Sequence, residues 1–122
     1  MNSHHLAQQA YSNSAAPTRT ARATEYAAFA KVTHRLNQAA RKGTLGFAEL
    51  AESLHDNRKL WTLLAVDVAD DENQLPTELR AKIFYLAEFT QAHTRKVLKR
   101  EASVAPLIEI NAAVMRGLRN RT

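Results

Sequence analysis

The chain has 122 residues, 45% of them hydrophobic, and a formal net charge of +5; that length predicts one domain. It has no cysteine, which removes disulfides, thiolate zinc sites and cysteine nucleophiles together. Three glycines and three prolines are too few turn signals for a β-sandwich or barrel, and 22 alanines and 14 leucines against nine valines plus isoleucines favour helix.

Residues 1–16 are small and polar, with Leu6 and Tyr11 as their only sizeable apolar groups. They read as a flexible N-terminal arm, and residues 17–122 as a helical bundle domain. The first long helix is predicted over 18–42. It starts near Pro17 with Thr18 as cap, and Gly43 ends it in the left-handed conformation. Its apolar positions are Tyr26, Phe29, Val32 or Thr33, Leu36 and Ala40, spaced three and four apart. Arg22, Lys31, Arg35 and Arg41 occupy the opposite face.

The second helix is predicted over 46–70, with the stripe Phe47, Leu50, Leu54, Trp61, Leu64 and Val68. Leu60 and Leu63 widen it enough to meet more than one neighbour. A polar linker leads to Pro76, which pre-sets the entry to a third helix over 76–103. That helix carries Leu79, Ile83, Leu86, Thr90, His93 and Val97 on one stripe, flanked by Phe89 and Leu98. Pro106 then breaks the chain before a short helix over 107–118 with Leu107, Ile110 or Asn111, Val114 and Leu118. Short connections make neighbours antiparallel. The predicted fold is all-α: a single small bundle of three long antiparallel helices, with a short C-terminal helix laid across it and no sheet.

The residues offer little for catalysis. The five histidines form no metal-binding spacing, and there is no glycine-rich phosphate loop or nucleophile elbow. His93 reads as a boundary histidine bonded to a neighbour. Asp67, Asp70, Asp71 and Glu72 sit in one linker with no second cluster facing them, and read as a solvated helix end. No catalytic residue, metal, cofactor or small-molecule substrate is expected. No stretch approaches 18 apolar residues, so no membrane association is expected, and the start lacks a signal-peptide core. The expected location is the cytoplasm.

Charge is segmented: residues 1–45 sum to +5, residues 46–75 to −5 and residues 76–122 to +5. Antiparallel helices would attract one another weakly on this pattern. The other reading is a basic surface for RNA. Aromatics do not interleave with the basic clusters, so nucleic acid is the less favoured partner. In the stretch from Asn57 to Ala81, Asn57, Trp61 and Leu64 share a helix face. Arg80 follows Pro76 closely enough to reach back to a linker carboxylate or carbonyl. Asp67, Asn73, Pro76 and Arg80 are the expected structural turn.

These residues resemble a known family. Asn57-Arg58-x-Leu60-Trp61, Asp67, Asn73-x-Leu75-Pro76 and Leu79-Arg80-Ala81 occur in the order of the FlaF family of flagellar biosynthesis regulators of alphaproteobacteria. Leu107-Ile108-x-x-Asn111 and Met115-x-Gly117-Leu118 continue the resemblance, and Ala10-Tyr11, Glu25-Tyr26 and Phe29 fit it. The resemblance implies a small cytoplasmic non-enzyme that controls flagellin production alongside the co-regulator FlbT. The implied function is a chaperone that binds flagellin and couples its synthesis to export. The alternative is a post-transcriptional regulator that binds flagellin mRNA through its basic surface. Unpolymerised flagellin has amphipathic terminal segments, and an apolar groove between helices can shield such a segment. The groove is expected where the fourth helix meets the second and third. The candidate partner-binding residues are Asn57, Trp61, Leu64, Leu107, Asn111, Val114 and Met115. Trp61 reads as core first and exposed anchor second.

Overall fold

The computed structural model describes residues 16–120, and side-chain surroundings over residues 25–117. The N-terminal arm lies outside the described residues, except that Ala16 already belongs to the first helix. Among the described residues there are four α-helices and no strand: α1 (Ala16–Arg41), α2 (Phe47–Ala69), α3 (Thr77–Leu98) and α4 (Ala105–Asn120). A single 3-10 turn, Gly43–Gly46, joins α1 to α2.

α1 buries Phe29, Val32, Thr33 and Leu36, so both alternatives at 32 and 33 face inward. Its last core residue is Ala39 rather than the expected Ala40, which is exposed. The 3-10 turn folds back over the flank that carries Ala39. Gly43 takes φ 61°, the left-handed conformation that glycine adopts without penalty. Gly46 is buried because the loop backbone approaches the Ala39 carbonyl closely.

On α2, Leu54, Asn57, Trp61 and Val68 face the core, and Leu60 and Leu64 are half-buried. Leu63 does not widen that face: it is 69% exposed. The attraction of basic α1 for acidic α2 takes a definite form. Arg35 bridges Glu52 at 3.0 Å and also pairs with Asp56, and Lys42 holds Glu49 at 2.6 Å. Exposed pairs of this kind contribute up to about 1 kcal/mol each.

α3 buries Ala87, Thr90, Thr94 and Val97. It ends at Leu98, several residues before the expected 103. Arg100 takes φ 62°, its N–H donates to the Val97 carbonyl, and the Glu101 N–H reaches back to Lys96. This is the Schellman ending, with arginine where glycine is usual, so no glycine marks it in the sequence. The Arg100 guanidinium lies 4.1 Å from the centroid of the Phe47 ring, a cation–π contact that offsets the strain. α4 in turn starts two residues earlier than expected. Pro106 lies inside its first turn, where a missing N–H is no loss. The Ala105 N–H donates to the Ser103 hydroxyl at 3.0 Å.

α1 packs against α2 and α4, and α2 packs against α3; α3 and α4 meet only briefly. Among the described residues no Cα of α4 comes within 8 Å of α2, nor any of α1 within 8 Å of α3. The fourth helix therefore fills the corner beside α1 instead of crossing the other three. Two core clusters result. Val32, Leu36, Leu54, Val97, Val104 and Leu107 form one, and Phe29, Trp61 and Ala87 form the other.

The α2–α3 turn is closed by side chains, as expected, but by carbonyls rather than ion pairs. Arg80 Nε donates to the Val68 carbonyl and its Nη2 to the Asp70 carbonyl, each at 2.8 Å. Asn73 donates to the Asp67 carbonyl at 3.1 Å and accepts the Leu75 N–H at 3.0 Å. The carbonyls that α2 leaves open at its C-terminus thus find donors. Arg80→Ala is expected to lower stability by about 1–2 kcal/mol, since two charge-assisted bonds are lost at a partly exposed site. Thermal unfolding followed by circular dichroism checks this; an unchanged midpoint would show that water replaces the guanidinium.

Candidate functional site

At mid-bundle a polar network spans three helices. Trp61 is fully buried, and its indole Nε1–H donates to Asn111 Oδ1 at 2.9 Å. The indole can only donate, so Asn111 must present its oxygen there. Its Nδ2 then donates to Thr33 Oγ1 at 3.1 Å and to Asn57 Oδ1 at 2.8 Å. Asn57 must in turn face its oxygen inward, and its Nδ2 has no partner. Thr90 Oγ1 is likewise buried and unpaired. The Phe29 ring meets Trp61 edge-on at 5.6 Å.

The seven candidate partner-binding residues divide. Asn57, Trp61, Leu107 and Asn111 are interior, at 0–1% exposure. Trp61 is therefore core in the folded chain, as the first of its two readings had it. Leu64, Val114 and Met115 are half-buried around Trp61. Where α4 meets α2 and α3, the junction expected to hold the groove, the backbones of α2 and α4 stay more than 8 Å apart and side chains around Trp61 fill the space between the helices.

The least closely packed neighbouring helices are α3 and α4. Ile83 and Leu86 of α3 and Ile110, Val114 and Met115 of α4 are all half-buried beside Trp61. One end of this seam is pinned. His93 Nε2 donates to the Ser103 carbonyl at 2.7 Å and the ring stacks on Phe89 at 5.2 Å. Tyr85, one and two turns before those residues on the same flank, is 64% exposed. The sequence reading placed Ile83, Leu86 and Ile110 on core stripes and did not single out Tyr85. Spacing alone could not separate a covered stripe from a partly open one.

Among the described residues, no three His, Asp or Glu side chains gather as metal ligands, and no helix is long and apolar enough to cross a membrane. The fold is a small helical bundle with half-buried apolar side chains where α3 and α4 meet. The family model for flagellar protein FlaF matches residues 7–118, and the chain belongs to that family. Its role lies in flagellar biogenesis, and the family is not a known enzyme family. No curated protein and no solved structure matches the chain. The residues that carried the resemblance are largely architectural here. Asn57, Trp61 and Asn111 build the central network, and Asp67, Asn73, Pro76 and Arg80 build the α2–α3 turn.

Proposed function

We propose that this protein is a cytoplasmic flagellin chaperone that holds an amphipathic terminal segment of flagellin in the α3–α4 seam. It thereby couples flagellin synthesis to export, with FlbT as co-regulator. One observation carries the location of the site. α3 and α4 are the least closely packed neighbours in the bundle, yet both turn half-buried apolar side chains toward the line between them. A partner helix laid there extends the apolar cluster around Trp61. Tyr85 stands beside it as an aromatic with a polar end, a residue type enriched at binding hot spots.

The test is calorimetric titration with monomeric flagellin. Tyr85→Asp is expected to weaken binding about tenfold or more and to leave the unfolding midpoint unchanged, because the side chain is exposed. Leu45→Asp, at the far loop, is expected to bind as the wild type does. Equal affinities for all three would move the site away from the seam. No binding of flagellin by the wild type would reject the chaperone. The mRNA reading predicts something else: RNA binding that falls steeply with salt.

A further inference from the structure

The bundle leaves one face of α2 bare. His55, Lys59, Thr62, Val66 and Ala69 recur at alternate spacings of four and three and are all exposed. They lie on the side of the helix opposite Leu54, Asn57, Trp61 and Val68. The face is not uniform along its length. Arg58 and Lys59 make one end basic, since Glu52 and Asp56 beside them are paired with Arg35, and Asp67, Asp70 and Asp71 make the other acidic. Between them stand Leu63 and Val66, 69% and 66% exposed.

Neither end is neutralised within the chain. None of Arg58, Lys59, Asp67, Asp70 and Asp71 belongs to a salt bridge among the described residues. Arg58 is bonded to Gln91, at 2.9 Å, and not to an acid. Arg80, the cation nearest the acidic end, spends its donors on backbone carbonyls. The basic end is also concave. A groove of about 500 Å³ is lined by His55, Arg58, Lys59, Thr62, Leu63 and Gln91.

A strip that is basic, then apolar, then acidic is its own complement when turned end for end. We propose that α2 is the interface of a symmetric antiparallel dimer, with the two-fold axis near Leu63. Leu63 then faces its own copy, and Lys59 lies opposite Asp67 of the second chain. Val66 of each chain enters the groove of the other. Phe84 of α3, 42% exposed and level with Val66 by the antiparallel pairing of Arg58 with Gln91, adds apolar area at the rim.

Other occupants fit less well. A nucleic acid would meet the acidic half of the strip with its own negative charge. The chain's own first 15 residues contain no Asp, Glu, Lys or Arg and cannot match either end. From His55 to Ala69, where α2 ends, the strip is about 21 Å long at 1.5 Å per residue. That is the small end of specific interfaces, about 1,200 Å² in total, so the dimer is expected to be concentration-dependent.

Sedimentation equilibrium of the full chain tests this. The weight-average mass should rise from 13.6 kDa toward twice that value between about 1 and 500 μM, the range in which contacts of this size associate. Leu63→Arg should stay at the monomer mass with unchanged helicity. Lys59→Glu should weaken the dimer at least about fivefold, and Lys59→Glu combined with Asp67→Lys should restore it, since each reversed charge then meets its opposite on the second chain. The absence of cysteine allows a direct check. Leu63→Cys should oxidise to a covalent dimer faster than Leu45→Cys, whose side chain is 92% exposed at the far loop. A wild type that remains monomeric throughout, equal cross-linking at 63 and 45, or a double charge reversal that restores nothing would each overturn the proposal.

Discussion

Asn111→Ala is expected to lower the unfolding midpoint by more than about 10 °C. The substitution removes three hydrogen bonds at once. The Trp61 indole N–H would be left at 0% exposure without an acceptor, and Asn57 would lose the partner that its oxygen now has. An unpaired buried group costs about 1–3 kcal/mol, and the missing amide adds a small cavity. The sum, about 3–5 kcal/mol, is a large part of the 5–15 kcal/mol typical of a domain. At about 4 °C per kcal/mol for a chain of this size, the shift exceeds 10 °C. Thermal unfolding followed by Trp61 fluorescence would measure it. Glu109→Ala, on the exposed side of the same helix, should change stability by under about 0.5 kcal/mol. A loss below about 1 kcal/mol for Asn111→Ala would mean that water takes over the amide's bonds.

The second large effect is expected at Gly46. A Cβ there would run into the carbonyl oxygen of Ala39 and lie 2.8 Å from Lys42 Cβ. The first of these atoms is backbone at the end of α1, so the loop and the helix would have to separate. Gly46→Ala is expected to cost about 2–4 kcal/mol, in the range of overpacking at a rigid site. Gly43→Ala meets no atom but must hold φ 61°, which costs about 1 kcal/mol. Gly117→Ala meets nothing either and sits within α4, so it should stabilise by about 0.5–1 kcal/mol. The order of the three midpoints in one calorimetric series is the check. A Gly46→Ala variant as stable as Gly43→Ala would show that the loop yields without loss.

Three- and four-residue spacing carried the helices, because their buried faces are long and few residues break them. The turn at Arg80 was legible for the same reason: its donor and acceptors lie 12 and 10 positions apart, in one hairpin. The end of α3 was not legible, because an arginine held over Phe47 replaces the glycine that usually signals a stop. Ala39 and Ala40 differ only in which flank the returning loop covers, and no local spacing encodes that. The polar network was half legible. Asn57 and Asn111 each stood out on an apolar face, but the 54 positions between them hide that they bond to each other. Which corner a fourth helix takes depends on contacts with α1 and not on its own stripe, so its position against the other helices was not legible.

The central amide network also decides which arrangement of helices is allowed. Suppose α4 slid by one turn along α1. Leu107 or Met115 would then come level with Trp61, and apolar contact would change little, since aliphatic side chains of similar volume substitute for one another. The indole would have no acceptor, however, and Asn111 would be carried away from Thr33 and Asn57. Each slipped alignment would strand several buried polar groups at once. A greasy core of the same size would accept neighbouring alignments at similar energy; this one distinguishes them by hydrogen bonds that close in a single position.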